Sequence, residues 1–126
     1  MHARYAFHVR FRLVPDAPDA TVEDPTFETR VTLEAPEPGR PGWLFFRDTL
    51  WRGEVNDRRH ARELFERKLG VPVESVAFRA LHLDEAYREA IEAEIAANLE
   101  LFKADDVPEV LTKYLGSSIQ VESGEE

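Results

Sequence analysis

The chain has 126 residues, of which 43% are hydrophobic and 10% aromatic, and this is enough apolar material to fill the core of one domain. It has no cysteine, so disulfides, thiolate metal sites and a cysteine nucleophile are excluded. Its 25 acidic residues outnumber 16 basic ones, and the formal net charge is −9. No apolar run approaches the roughly 18 residues of a membrane span and no secretory signal is visible, so we expect a cytoplasmic protein with no membrane partner.

The basic residues are mostly arginines, because only Lys68, Lys103 and Lys113 are lysines. A surface rich in carboxylates and poor in lysine stays hydrated when salt competes for water. Molar salt also screens its self-repulsion, since the Debye length falls to roughly 3 Å. We therefore expect adaptation to high salt. The alternative is an ordinary acidic protein from a genome that prefers arginine.

Strict alternation of apolar and polar residues predicts the first strand. Its apolar face carries Tyr5, Phe7, Val9, Phe11 and Leu13. Its polar face carries Arg4, His8, Arg10 and Arg12. A proline-rich loop from Pro15 to Pro25 follows. A second alternating segment, from Phe27 to Glu34, is expected to pair with the first strand in the antiparallel direction.

The segment from Trp43 to Gly53 allows two interpretations. As a helix, its large apolar side chains share one broad arc, and Gly53 ends it. As a strand, it has no clean polar face. We favour the helix.

Clearer signals follow in the rest of the chain. A helix is predicted from Asn56 or Asp57 to Gly70, and a strand from Glu74 to about His82. A long helix begins at Asp84. A short helix with a capping box of Asp106 and Glu109 ends at Gly116, and a last strand runs from Ser118 to Glu122. Residues 1–122 are thus predicted to form a single α+β domain. Its architecture is a single-layer sandwich, a mainly antiparallel sheet of about four strands with helices packed on one face. Residues 123–126 are expected to be a solvated acidic tail.

Two segments resemble a known family. They are Phe45-Phe46-Arg47-Asp48-Thr49-Leu50-Trp51-Arg52-Gly53-Glu54 and Lys113-Tyr114-Leu115-Gly116-Ser117-Ser118-Ile119. Both are similar to the LWR-salt proteins of haloarchaea, a family named for the tripeptide that stands here as Leu50-Trp51-Arg52. The resemblance covers essentially the whole chain. It implies a salt-rich archaeal cytoplasm, and it brings no activity and no functional residues with it.

The densest group of candidate binding residues lies between Arg47 and His60. The residues predicted to contact a protein partner or a second copy of the chain are Trp43, Arg47, Trp51 and Arg52. If Arg47 and Trp51 lie one helical turn apart, the guanidinium and the indole can stack as an anchor, and both residue types are frequent in binding hot spots. The alternative is that Trp51 belongs to the core and that the arginines pair with Asp48 or Glu54.

The polar face of the first strand is a second candidate site. Arg4, His8, Arg10 and Arg12 form a basic strip on an acidic protein, and such a strip can attract phosphate, RNA or an acidic partner. The alternative is a ladder of cross-strand ion pairs with glutamates of the neighbouring strand. No exposed aromatic residues are interleaved for stacking on bases.

Signals for catalysis and metal binding are weak. The four histidines, His2, His8, His60 and His82, have no metal-binding spacing, and no phosphate-binding glycine motif is present. We therefore expect no catalytic residues, no metal and no cofactor. The leading hypothesis is a non-catalytic protein-interaction or assembly module. The alternative is an RNA- or nucleotide-binding domain that uses the basic strip, and an enzyme with an unrecognised pocket is the third hypothesis.

Overall fold

The structure of the protein, a computed structural model, describes residues 1–13 and 26–122. The predicted loop from Pro15 to Pro25 and the predicted tail lie outside the described residues. Within them the elements are, in chain order, β1 (Ala3–Arg12), β2 (Thr26–Glu34), α1 (Phe45–Thr49), β3 (Leu50–Trp51), β4 (Glu54–Val55), α2 (Arg58–Leu69), β5 (Val73–Asp84), α3 (Glu85–Ala97), a single 3-10 turn (Leu99–Leu101), α4 (Val107–Leu115) and β6 (Ile119–Glu122). No helix among them is long and apolar enough to span a membrane.

The main sheet has the strand order β2-β1-β5-β6. β1 pairs antiparallel with both β2 and β5, and the pairing with β2 is the one that the sequence predicts. β6 runs parallel to β5, because α3 and α4 form a crossover connection between the two strands. The α+β class and the sheet of about four strands are confirmed. The sheet is mixed and not purely antiparallel, and β3 with β4 forms a separate two-stranded hairpin.

The core lies between the apolar face of this sheet and the helices. The ring of Phe7 in β1 is fully buried. Its centroid lies 5.0 Å from the ring centroid of Phe65 in α2 and 5.4 Å from that of Phe78 in β5. Phe46 of α1 stacks on Phe102, with 5.7 Å between the ring centroids. Aromatic pairs at these separations add to the free energy of apolar burial. The alternation in the first strand thus identifies the buried side chains of Tyr5, Phe7 and Val9, whereas Leu13 of the predicted apolar face is 42% exposed.

Three helices begin at the aspartates that the sequence indicates. Asp57 accepts a hydrogen bond from the His60 amide at 3.0 Å, and Asp84 accepts one from the Tyr87 amide at 2.8 Å. Asp106 caps α4 in the same way. Each carboxylate satisfies an amide that has no partner inside its helix. These caps begin α2, α3 and α4 where the sequence predicts them, although α3 ends at Ala97 and the predicted apolar stripe continues to Phe102.

The ambiguous segment contains both a helix and a strand. α1 ends at Thr49, and Leu50 is already extended with φ −119°. The prediction that the helix runs to Gly53 is therefore wrong. Arg52 and Gly53 have φ values of 53° and 81°, which suit the two-residue turn of a β-hairpin and cannot continue a helix. Trp51 therefore lies in a strand of this hairpin and not in a helix.

Candidate functional site

The tip of the β3–β4 hairpin is attached to the end of α4 by backbone hydrogen bonds. The Arg52 amide donates to the carbonyl oxygen of Lys113 at 2.8 Å, and the Gly53 amide donates to that of Tyr114 at 3.0 Å. Carbonyl groups in the last turn of a helix have no partner within the helix. The hairpin supplies those partners and so completes the end of α4.

Two glycines allow this close approach of the two backbones. A Cβ atom on Gly53 would lie 3.1 Å from the carbonyl oxygen of Leu115, and one on Gly116 would lie 3.2 Å from that of Arg52. Both contacts are tighter than an ordinary van der Waals contact. The two segments that carry the family resemblance, one ending near Gly53 and the other centred on Gly116, therefore form one structural unit.

Trp51 projects from this unit into solvent and is 44% exposed. Its ring meets Tyr114 edge to face, with 5.9 Å between the ring centroids. The Arg52 guanidinium carbon lies 5.7 Å from the Trp51 ring centroid, and Lys113 Nζ lies 5.9 Å from it. Both distances suit cation–π attraction, which is worth about 0.5–1 kcal/mol at an exposed site. The result is an exposed indole with two cations close to its ring.

An open groove of about 690 Å³ adjoins the indole. Its lining residues are Trp51, Arg52, Pro108, Glu109, Thr112, Lys113 and Gly116. We call five of them, Trp51, Arg52, Pro108, Thr112 and Lys113, the Trp51 surface; Glu109 is the one carboxylate among these lining residues. Lys113 also donates from Nζ to the carbonyl oxygen of Phe102 at 2.9 Å, which fixes the position of its ammonium group. The sequence analysis did not single out Lys113 as a binding residue. The signal was available, since Lys113 opens the second segment that resembles the family.

The four residues predicted for partner binding do not form one cluster. Trp51 and Arg52 lie together, whereas Trp43 is only 8% exposed and packs against Phe46 and Phe102 in the core. The proposed stacking of Arg47 on Trp51 is not formed, because the helix that would align them ends at Thr49.

Arg47 has other partners. Its Nε donates to Asp48 Oδ1 at 3.0 Å and its Nη1 donates to the carbonyl oxygen of Leu101 at 3.3 Å. The pairing with Asp48 is the one that the alternative interpretation describes for this arginine. Arg47 therefore supports the packing of α1 against the 3-10 turn, and it lies outside the Trp51 surface.

The basic strip of β1 is an ion-pair network. Arg4 makes a bidentate pair with Glu122 of β6, with N–O distances of 3.1 and 3.2 Å. Arg10 and Arg12 share Glu74 of β5, at 3.6 and 2.7 Å. Most of the carboxylate partners thus come from β5 and β6, and not from β2 as the ladder interpretation expects.

His8 is the strip residue that does pair with β2. Its Nε2 lies 2.6 Å from Glu28 Oε1. This hydrogen bond, together with the positive charge of a protonated His8, lowers the pKa of the Glu28 carboxyl below its ordinary value. All four residues of the strip therefore have a carboxylate partner.

A small polar concavity of about 460 Å³ lies on the same face of the sheet. Arg30 Nη2 donates to Nε2 of His82 at 2.8 Å, which makes Nε2 the acceptor and places the imidazole proton on Nδ1. That nitrogen is 3.4 Å from Glu122 Oε2 and has no hydrogen-bond partner within the described part of the chain. Sequence reasoning missed this pair, because Arg30 and His82 are far apart in the chain.

The histidines and carboxylates of the described residues are the side chains from which a metal site would be built. Within residues 1–13 and 26–122, no group of three or more such side chains is arranged to hold a metal ion. His60 and Asp57 come together only as the first turn of α2, where Asp57 caps the helix.

Comparison with curated proteins found no match, and comparison with solved structures found none either. A family model does match, and its description is LWR-salt protein. The match extends over residues 1–125, which includes both parts of the hairpin–helix unit. The chain therefore belongs to the LWR-salt protein family.

Proposed function

We propose that the protein is a non-catalytic interaction module of a salt-rich archaeal cytoplasm, and that it binds a protein partner through the Trp51 surface. The partner surface is apolar where it covers the indole of Trp51 and carries carboxylates where it meets Arg52 and Lys113. Aromatic and arginine side chains contribute most of the free energy at many protein interfaces, whereas exposed tryptophan adds little to stability.

The conformation of Arg52 is the observation that carries this proposal. A residue with a side chain at φ 53° is strained by about 1–2 kcal/mol, and glycine or asparagine is the usual occupant of such a turn position. Backbone strain of this kind is concentrated at functional sites. An arginine at this position is explained if its guanidinium, held beside Trp51, makes a contact that glycine cannot make.

The carboxylate-rich exterior supports the salt-rich setting in the proposal. The net charge of −9 and the low number of lysines suit a surface that must keep its water in concentrated salt. The ion pairs of the basic strip argue against the nucleic-acid alternative, since a phosphate would have to displace a carboxylate from each arginine.

The test is capture of partners from a cell extract in molar potassium chloride, with and without nuclease treatment. We expect the same protein to be recovered with the wild type after nuclease treatment and to be lost with Trp51→Ala. Leu101→Ala, which truncates another exposed apolar side chain, is the matched control and should retain the partner. Recovery that depends on intact nucleic acid, or that survives Trp51→Ala, would contradict the proposal.

A further inference from the structure

β2 forms one edge of the four-stranded sheet. Within the part of the chain that the structure describes, no strand pairs with its outer side. Between Thr26 and Glu34 the strand has no proline, no lysine and no register shift against β1, which are three of the devices that protect an edge strand. Its charged residues, Glu28, Arg30 and Glu34, are of both signs. β2 is thus a regular strand that can accept another strand.

The hydrogen-bonding groups of this edge can be assigned to individual residues. The Ala35 amide donates to the carbonyl oxygen of Ala3 at 2.9 Å, which sets the phase of the β1–β2 ladder. Because hydrogen-bonded pairs alternate along an antiparallel ladder, the odd-numbered residues of β2 direct their backbone groups toward β1. The amides and carbonyls of Glu28, Arg30 and Thr32 therefore point away from the sheet.

The order of side chains along this edge is complementary to itself. When a second β2 lies antiparallel about an axis through Thr29, Glu28 faces Arg30 of the second copy, and Phe27 faces Val31 of the second copy. Each of these pairs forms twice, since a two-fold interface is isologous. Opposite charges and aromatic–branched pairs are favourable across antiparallel strands. Phe27 is 40% exposed, so the second copy covers an apolar ring that now faces water.

Neighbouring registers are less favourable. An axis through Arg30 places two guanidinium groups opposite each other, and an axis through Val31 places Glu28 opposite Glu34. An axis through Thr32 does join opposite charges, Arg30 and Glu34, but it places no apolar residue of the second copy opposite Phe27. Only registers that keep even-numbered residues opposite one another preserve the backbone hydrogen bonds.

We propose that β2 pairs with β2 of a second copy of the chain about an axis through Thr29, so that two four-stranded sheets become one continuous sheet. This contact goes beyond the proposed partner binding and shares no residue with the Trp51 surface. Concentrated salt favours it, because screening weakens the long-range repulsion between two chains of net charge −9, whereas charges in direct contact across the paired strands are screened much less.

The experiment exchanges the charges of Glu28 and Arg30. The molar mass of the full chain is then measured by light scattering in molar potassium chloride. The wild type should have twice the mass of the 14.5 kDa chain. Glu28→Arg and Arg30→Glu should each halve that mass, because each sets like charges opposite one another. The double variant E28R/R30E restores opposite charges and should restore the dimer.

Two further variants keep the result decisive. Glu34→Arg makes the same charge change as Glu28→Arg at a residue outside the paired segment, and it should remain a dimer. Thr29→Lys places two ammonium groups on the axis and leaves the hydrogen bonds of Glu28 and Arg30 to their histidines intact. It should therefore be a folded monomer, and it tests the contact even if the single charge variants do not fold. A monomeric wild type, a monomeric E28R/R30E that is folded, or dissociation by Glu34→Arg would overturn the proposal.

Discussion

The Gly53 amide and the Tyr114 carbonyl oxygen are 3.0 Å apart, and this hydrogen bond joins the tip of a two-residue hairpin to the last turn of a helix far along the chain. It positions Trp51 on the surface, because Trp51 lies in the hairpin strand beside this bond and its ring packs against Tyr114. The exposed indole therefore depends on a contact between backbones, and glycine is the residue that makes such a contact possible.

Substitution of that glycine should be costly. We expect Gly53→Ala to lower the free energy of unfolding by about 3 kcal/mol, because it adds backbone strain and separates hydrogen bonds at the helix end. Gly70→Ala is the matched control, since Gly70 also has a positive φ of 74° but a Cβ there would meet nothing within 4 Å. Its cost should be about 1 kcal/mol. Equal losses for both variants in denaturant titrations would contradict the close packing of hairpin and helix.

Much of the fold could be predicted because the signals are local. Alternation along β1 reports which side chains face the core, and Asp84 and Asp106 cap their helices through hydrogen bonds to amides three residues away. The turn at Arg52 could not be predicted from propensity, since an arginine there is locally unfavourable and is held by the contact with Lys113.

The site was predicted less completely for the same physical reason. The partner of Arg4 is Glu122, which is 118 positions away in the sequence. The direction of β6 depends on how α3 and α4 cross the sheet, and the sequence of β6 itself does not indicate that direction. Long-range pairs of this kind have no local pattern to indicate them.

The two tryptophans should respond differently to a quencher. Trp43 is buried against Phe102, whereas Trp51 is largely open to solvent. In Trp43→Phe, which leaves Trp51 alone, we expect red-shifted emission that acrylamide quenches readily. In Trp51→Phe the emission should be blue-shifted and protected. Similar quenching constants for the two folded variants would show that the Trp51 ring is not exposed as described.

Asp84 should make stability depend on pH in the acid range. Hydrogen bonds from the Tyr87 and His2 amides lower the pKa of its carboxyl below the ordinary value of 3.8. A lowered pKa in the folded state means that the stabilisation is complete above the ordinary value and is lost as the pH falls through the lowered one. Asp84→Asn keeps a capping side chain but has no charge, so its stability should change less over that window.

The comparison is made by thermal unfolding of both proteins from neutral pH down to the acid range. The two curves should converge as the pH falls. Parallel curves, in which the wild type and Asp84→Asn lose stability equally, would mean that the Asp84 carboxylate is not responsible for the acid sensitivity.

The salt dependence of folding tests the interpretation of the acidic surface. Screening shortens the Debye length from about 10 Å at 0.1 M to about 3 Å at 1 M, which weakens repulsion among the carboxylates. We expect the free energy of unfolding to rise when potassium chloride is increased into the molar range. A protein that is fully stable in dilute buffer and gains nothing from the salt would contradict adaptation to high salt.

The most direct test of the account replaces Arg52 by glycine and measures stability and partner binding on the same preparation. Arg52→Gly relieves the backbone strain and loses the contact of the guanidinium with Trp51, so the free energy of unfolding should change by no more than about 1 kcal/mol. Partner recovery in molar potassium chloride should nevertheless be lost. If Arg52→Gly binds the partner as well as the wild type does, then the strained arginine serves no binding function and the proposal for the Trp51 surface is wrong.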